Sequence, residues 1–123
     1  MATSGPERLT RWWWALVIGL TLVAATAACA DSAPAAPADN PQLVLGQDVY
    51  ARNCASCHRA DGSGGVGLKL NEGRVVERYP DVAEQRALIV EGVRAMPGFG
   101  DRLDDTELDA VVAYTREVLA PSP

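Results

Sequence analysis

Two thiols and an imidazole stand together at Cys54-Ala55-Ser56-Cys57-His58. Two cysteines three apart, with histidine directly after the second, can hold a haem through two thioethers. Each thiol adds to one vinyl group, and the two intervening residues set the sulfurs at the separation of the vinyls. The histidine then lies beneath the ring, where its imidazole reaches one axial position of the iron. Other uses of the pair fit less well. A thioredoxin-type dithiol wants a strand–helix setting, which the sequence does not offer. A zinc site wants four ligands, and the one further cysteine is Cys29. The motif therefore points to one covalent haem c per chain, with His58 as an iron ligand.

The other axial position can be argued by elimination. His58 is the only histidine, so two histidines of one chain cannot share the iron. Of the two methionines, Met1 is the start residue, which leaves Met96. It follows His58 by 38 residues, enough chain to round the ring edge and return on the opposite face. A lone methionine is often a gap-filler in a core. Pro97, the nearby glycines and a place between two helical stretches favour a presented ligand instead. Arg74 is a candidate partner for a haem propionate, with Tyr79 as a further donor. The alternative for Arg74 is a solvated loop arginine.

Helices must bring these groups together. Residues 46–55 read as a helix that delivers the cysteines at its end, with Gly46 and Tyr50 on one face. Residues 59–80 read as loop, rich in glycines that let backbone turn tightly against the haem. Gly62-Ser63-Gly64-Gly65-Val66-Gly67 matches a dinucleotide fingerprint in letters only, because no strand precedes it. Asp81 to Glu91 reads as a second helix, opened by Asp81 with Glu84 and closed by Gly92; its apolar face is Val82, Leu88 and Ile89. Asp104 with Glu107 opens the last helix, whose stripe is Leu108, Val111, Val112, Thr115, Val118 and Leu119. Pro121 stops it. The fold class is all-α.

The rest of the chain concerns delivery. Residues 12–28 are uncharged and mostly apolar, after a start carrying Arg8 and Arg11. That is an export signal, and residues 1–28 form it. Ala25-Thr26-Ala27-Ala28-Cys29 is similar to a bacterial lipoprotein processing site, with Cys29 as the acylated residue. Ordinary cleavage near Ala27 or Ala30, or an uncleaved membrane anchor, are the alternatives. Residues 29–42 are Ala/Pro-rich and read as a semi-rigid linker. Residues 43–120 form the one domain. The whole chain has net charge −5, and removing Arg8, Arg11 and Glu7 with the signal leaves −6. Such a charge argues against nucleic acid as a partner.

Taken together, Gly46, Tyr50, the Cys54–His58 motif, the glycines up to Gly67, Met96-Pro97-Gly98-Phe99 and the last helix with Tyr114 resemble the small bacterial class I c-type cytochromes. The resemblance covers residues 43–120. It implies a cytochrome c fold of three to four helices, with the first and last crossing near Gly46, Tyr50 and Tyr114. It also implies haem held between His58 and Met96. Many family members have proline after the Gly-rich run, where a carbonyl orients the proximal imidazole; Leu68 stands there instead. Many dock through lysines, and this chain has only Lys69.

The function implied is single-electron transfer between membrane-bound redox proteins such as an oxidase, reductase or dehydrogenase. The chain would work outside the cytoplasm, held at the membrane through a lipid or its N-terminal segment, and would not be an enzyme. Two alternatives stand beside this. One is a haem sensor or peroxidase-like enzyme with a labile Met96. The other is a fixed cytochrome c subunit of an oxidase or dehydrogenase.

Overall fold

Asn40 begins the first helix by chemistry that the sequence carries openly. Its side-chain oxygen accepts from the Leu43 amide at 3.2 Å, and Pro41 follows at a position where no amide is needed. In the computed structural model, which describes residues 32–121, helix α1 spans Pro41–Asn53. A break at Cys54 separates it from the short α2, Ala55–His58. Then come α3 (Arg74–Arg78), α4 (Val82–Glu91) and α5 (Asp105–Tyr114), the last continued by a π-helical turn over Thr115–Leu119. No strand occurs among the described residues, only an isolated bridge between Val93 and Met96.

The frame is the crossing of α1 and α5. Leu43, Gly46, Val49 and Tyr50 form the buried stripe of α1. Leu108, Ala110, Val111, Val112 and Tyr114 answer from α5. A Cβ on Gly46 would overlap the Ala110 carbonyl oxygen and lie 2.7 Å from Tyr114 Cβ, so only glycine permits this approach. Beside it the rings of Tyr50 and Tyr114 pack with centroids 5.6 Å apart, tilted by 48°. Each large apolar side chain buried here contributes roughly 1.5–3 kcal/mol. α5 is started by a full capping box: Asp104 accepts from the Glu107 amide at 2.9 Å and Glu107 accepts from the Asp104 amide at 3.2 Å.

Several features differ from the sequence reading. α1 begins at Pro41, and the Ala/Pro segment before it is partly fixed. Tyr114 Oη donates to the Pro34 carbonyl at 2.8 Å, and Gln47 Oε1 accepts from the Ala36 amide at 2.8 Å. A buried phenol needs an acceptor, and Pro34 supplies it. α3 occupies part of the stretch read as loop, because Val75 finds a buried place there.

On α4, Asp81 caps the Ala83 amide at 2.8 Å. Val82, read as core, is 50% exposed. Gln85 takes that buried face instead, donating to Thr115 Oγ1 at 2.9 Å and accepting from Arg116 at 2.9 Å. Arg116 also donates to the carbonyls of Tyr79 and Pro80. Thr115 donates to the Val112 carbonyl at 2.9 Å where α5 loosens into the π turn. The signal segment 1–28, Cys29 and Ala30 lie outside the described residues. Among the described residues no helix is long and apolar enough to cross a membrane.

Candidate haem site

α1 hands the chain to α2 at Cys54, and both cysteines are free thiols. Cys54 is half-buried, Cys57 exposed. Burial first, and the neighbouring Cys57 second, push the Cys54 thiol up to about 11. That is the reverse of the acidified thiol of a redox pair. Among the described residues no three metal-ligating side chains gather as a site. The pair suits thioether formation better than either rival.

His58 is held on several sides. Its Nδ1 lies 2.7 Å from the Leu68 carbonyl oxygen. A carbonyl can only accept, so Nδ1 carries the proton and Nε2 keeps a lone pair for a metal. The missing proline therefore does not cost the contact. Gly67 is the reason the ring fits, since a Cβ there would lie 2.6 to 2.9 Å from three imidazole atoms. The backbone closes the same corner: Gly67 N donates to Cys57 O at 2.8 Å and Gly64 N to His58 O at 3.1 Å.

Met96 sits in a tight turn. Val93 N donates to Met96 O at 3.0 Å and Met96 N to Val93 O at 2.9 Å. The turn is tied back to α4, with Phe99 N donating to Ile89 O at 2.9 Å and Gly100 N to Val90 O at 3.2 Å. Phe99 is buried in the core, and Met96 packs against that core while staying partly exposed.

Arg74 is less committed. It pairs with Glu77 at 2.9 Å, and both side chains are well exposed. With Leu68, Lys69 and Arg78 the two line a surface hollow. Lys69 is itself paired with Glu72 at 2.8 Å. The structure thus gives Arg74 a protein partner.

These residues fit a haem. Of the two free thiols Cys54 lies at the end of α1 and Cys57 in α2, an oriented imidazole with a free Nε2 follows, and Leu68 presents an apolar side chain 57% exposed beside it. Tyr50 was legible only as a packing residue. Its hydroxyl donates to the Arg59 carbonyl at 2.8 Å, directly after His58, and nothing in the sequence spacing signals that bond.

Residues 41–114 match the family model described as cytochrome C oxidase, cbb3-type, subunit III. Cytochrome c6 of Bryopsis maxima is 41% identical over 76 residues, covering 58% of this chain and 86% of that one. The cbb3-type cytochrome c oxidase subunit FixP of Azorhizobium caulinodans is 31% identical over 85 residues, which are 65% of this chain and 28% of FixP. The solved structure of cytochrome c6 from the diatom Phaeodactylum tricornutum superposes with a TM-score of 0.52 at 29% identity, covering 59% of this chain and 88% of the other. The all-helical arrangement is accordingly a cytochrome c fold. On this likeness and on the residues that would carry its covalent haem c, the chain belongs to the small class I c-type cytochromes, electron-transfer proteins with one haem.

Proposed function

We propose that this cytochrome passes single electrons between membrane-associated redox proteins outside the cytoplasm, and that it is not an enzyme. Cys54 and Cys57 would hold the haem through thioethers, and His58 Nε2 and the Met96 thioether would ligate its iron. The haem supplies one-electron ferric/ferrous chemistry. The protein's part is to keep both ligands in place in both states.

The Met96 turn carries this reading. The backbone that carries the Met96 thioether is a reciprocally hydrogen-bonded turn, tied to α4 at two further points, so it is held without help from the iron. No axial position is then left for peroxide or a gas, which favours a carrier over a sensor or peroxidase. Optical spectra of the ferric and ferrous protein, with and without carbon monoxide, test it. The wild type should leave carbon monoxide unbound; ready binding would overturn the carrier reading.

Cys29 is proposed as the lipid-bearing residue on the motif around it. Mass spectrometry of membrane-extracted protein should find the modification there, and an unmodified N-terminus would exclude it. A second reading, a fixed oxidase subunit, is favoured by the description of the matching family model. Extraction in mild detergent separates the two: a subunit would stay with its oxidase in fixed ratio, a carrier would come away alone.

A further inference from the structure

The residue after the histidine has an unusual backbone. Arg59 sits at φ 64°, ψ 160°, a region that is essentially reserved for glycine. Its conformation sets the direction in which the chain leaves His58. The chain from there runs through Gly62 and Gly64 and returns at Gly67 and Leu68 against the imidazole. The exit angle at Arg59, together with the Gly67 N–Cys57 O bond, sets where the loop brings the Leu68 carbonyl to Nδ1.

Two hydrogen bonds hold the Arg59 carbonyl. Gly62 N donates from within the loop at 3.2 Å. Tyr50 Oη donates from outside it at 2.8 Å. Tyr50 has no exposed surface and is braced by Tyr114 at the α1/α5 crossing. Of the two bonds, only this one refers the strained residue to the rigid frame. A phenylalanine would fill the same core volume, so packing alone does not explain the hydroxyl.

We infer that the Tyr50 hydroxyl is a positioning group for the axial histidine: by pinning Arg59 in its strained conformation it sets the His58 Nδ1–Leu68 hydrogen bond. Strain persists only where the surroundings over-determine it. Here the Tyr50 phenol supplies one of those constraints, the one that reaches the Arg59 carbonyl from the helical frame. The histidine's hydrogen bond raises the basicity of the imidazole toward the iron. Loss of the Tyr50 bond lets Arg59 relax, lengthens the Nδ1 contact and makes the imidazole a poorer donor. Ferric iron loses more from that than ferrous, so the midpoint potential rises.

This rests on the His58/Met96 reading of the site. The wild-type optical spectrum tests that reading by itself, before any variant is compared. The inference is tested on the haem-loaded protein with Tyr50→Phe, Tyr114→Phe and the double variant Tyr50→Phe/Arg59→Gly. Two quantities are measured: the midpoint potential and the hyperfine-shifted proton resonances of the His58 ring. Tyr50→Phe should raise the potential and move the His58 resonances. It should also speed exchange of the Gly64 amide, which bonds the His58 carbonyl, by roughly tenfold, as for loss of one buried hydrogen bond. Glycine at 59 adopts the same backbone without strain, so the double variant should return both signals toward wild type. Tyr114→Phe removes an equally buried hydroxyl that bonds Pro34 instead, and should leave both signals in place. Unchanged potential and resonances in Tyr50→Phe would overturn the inference. So would an equal change in Tyr114→Phe, or no recovery in the double variant, because general loosening of the core would then account for the effect.

Discussion

The α1/α5 crossing and the loops around the haem site are built by opposite means. The crossing is side-chain work: a glycine, two tyrosines and a stripe of valines and leucines meet over a close approach of two regular helices. The loops are backbone work. Residues 59–73 and 92–100 turn through positive φ at Arg59, Glu72 and Arg94, and close on themselves by amide–carbonyl bonds. One region supplies the stability that holds the other in shape. The same substitution should therefore do different things in the two places.

Gly46→Ala should have the largest effect. The added Cβ meets Ala110 backbone, which cannot step aside, so thermal unfolding should fall by roughly 3 kcal/mol, with little change in the haem spectrum of what remains folded. Gly67→Ala adds the same methyl group against the His58 ring instead. Its main effect should be on the ligand: a displaced imidazole, a changed spectrum and weaker carbon monoxide exclusion, with a stability loss of about 1–2 kcal/mol. Equal unfolding losses and equal spectra for the two variants would break the contrast.

The tyrosines sharpen it by pH. Burial raises Tyr50, with smaller contributions from Cys54, Tyr114 and Asp61, and burial raises Tyr114. A folded value above the unfolded one means their stabilisation is complete below about pH 10 and is lost as pH rises beyond it. Alkaline unfolding should steepen above that point, and Tyr114→Phe should flatten it. Asp61, in the loop, should matter least. Its carboxylate accepts from the Ser63 amide at 3.0 Å, and this bond more than any other holds its pKa below the usual carboxylate range. That contribution is present above about pH 4 and lost as pH falls. Exchange of the Ser63 amide should rise in acid while global unfolding barely moves.

What the sequence made legible follows the same division. Gly46, Tyr50, Tyr114 and the Asp104/Glu107 box are spacing signals, and spacing is what regular helices leave in a sequence. The haem residues were legible because their chemistry demands rare types at fixed intervals. The backbone half was not. Arg59 carries no sign that it must adopt a glycine-like conformation. Gln85 sits in an apolar stripe because Thr115 and Arg116, some thirty residues away, satisfy it. Val82 has hydrophobic character but faces outward. The π turn arises after Tyr114 in a stretch whose apolar spacing continues as if the helix did not change.

The bond from Tyr114 to Pro34 bears on how the protein searches for its partners. It fixes the chain five residues after Cys29, so if Cys29 carries the lipid proposed above, five residues of fully extended backbone, about 18 Å, would bound the leash between that lipid and the folded body. A body kept that close to a bilayer would meet partners in the same membrane at high effective concentration and lose those free in the surrounding fluid. Under that proposal its encounters would be a problem of lateral diffusion in two dimensions. Cutting the leash at Ala30–Ala33, or lengthening it, would turn a membrane neighbour into a general carrier without touching one residue near the iron.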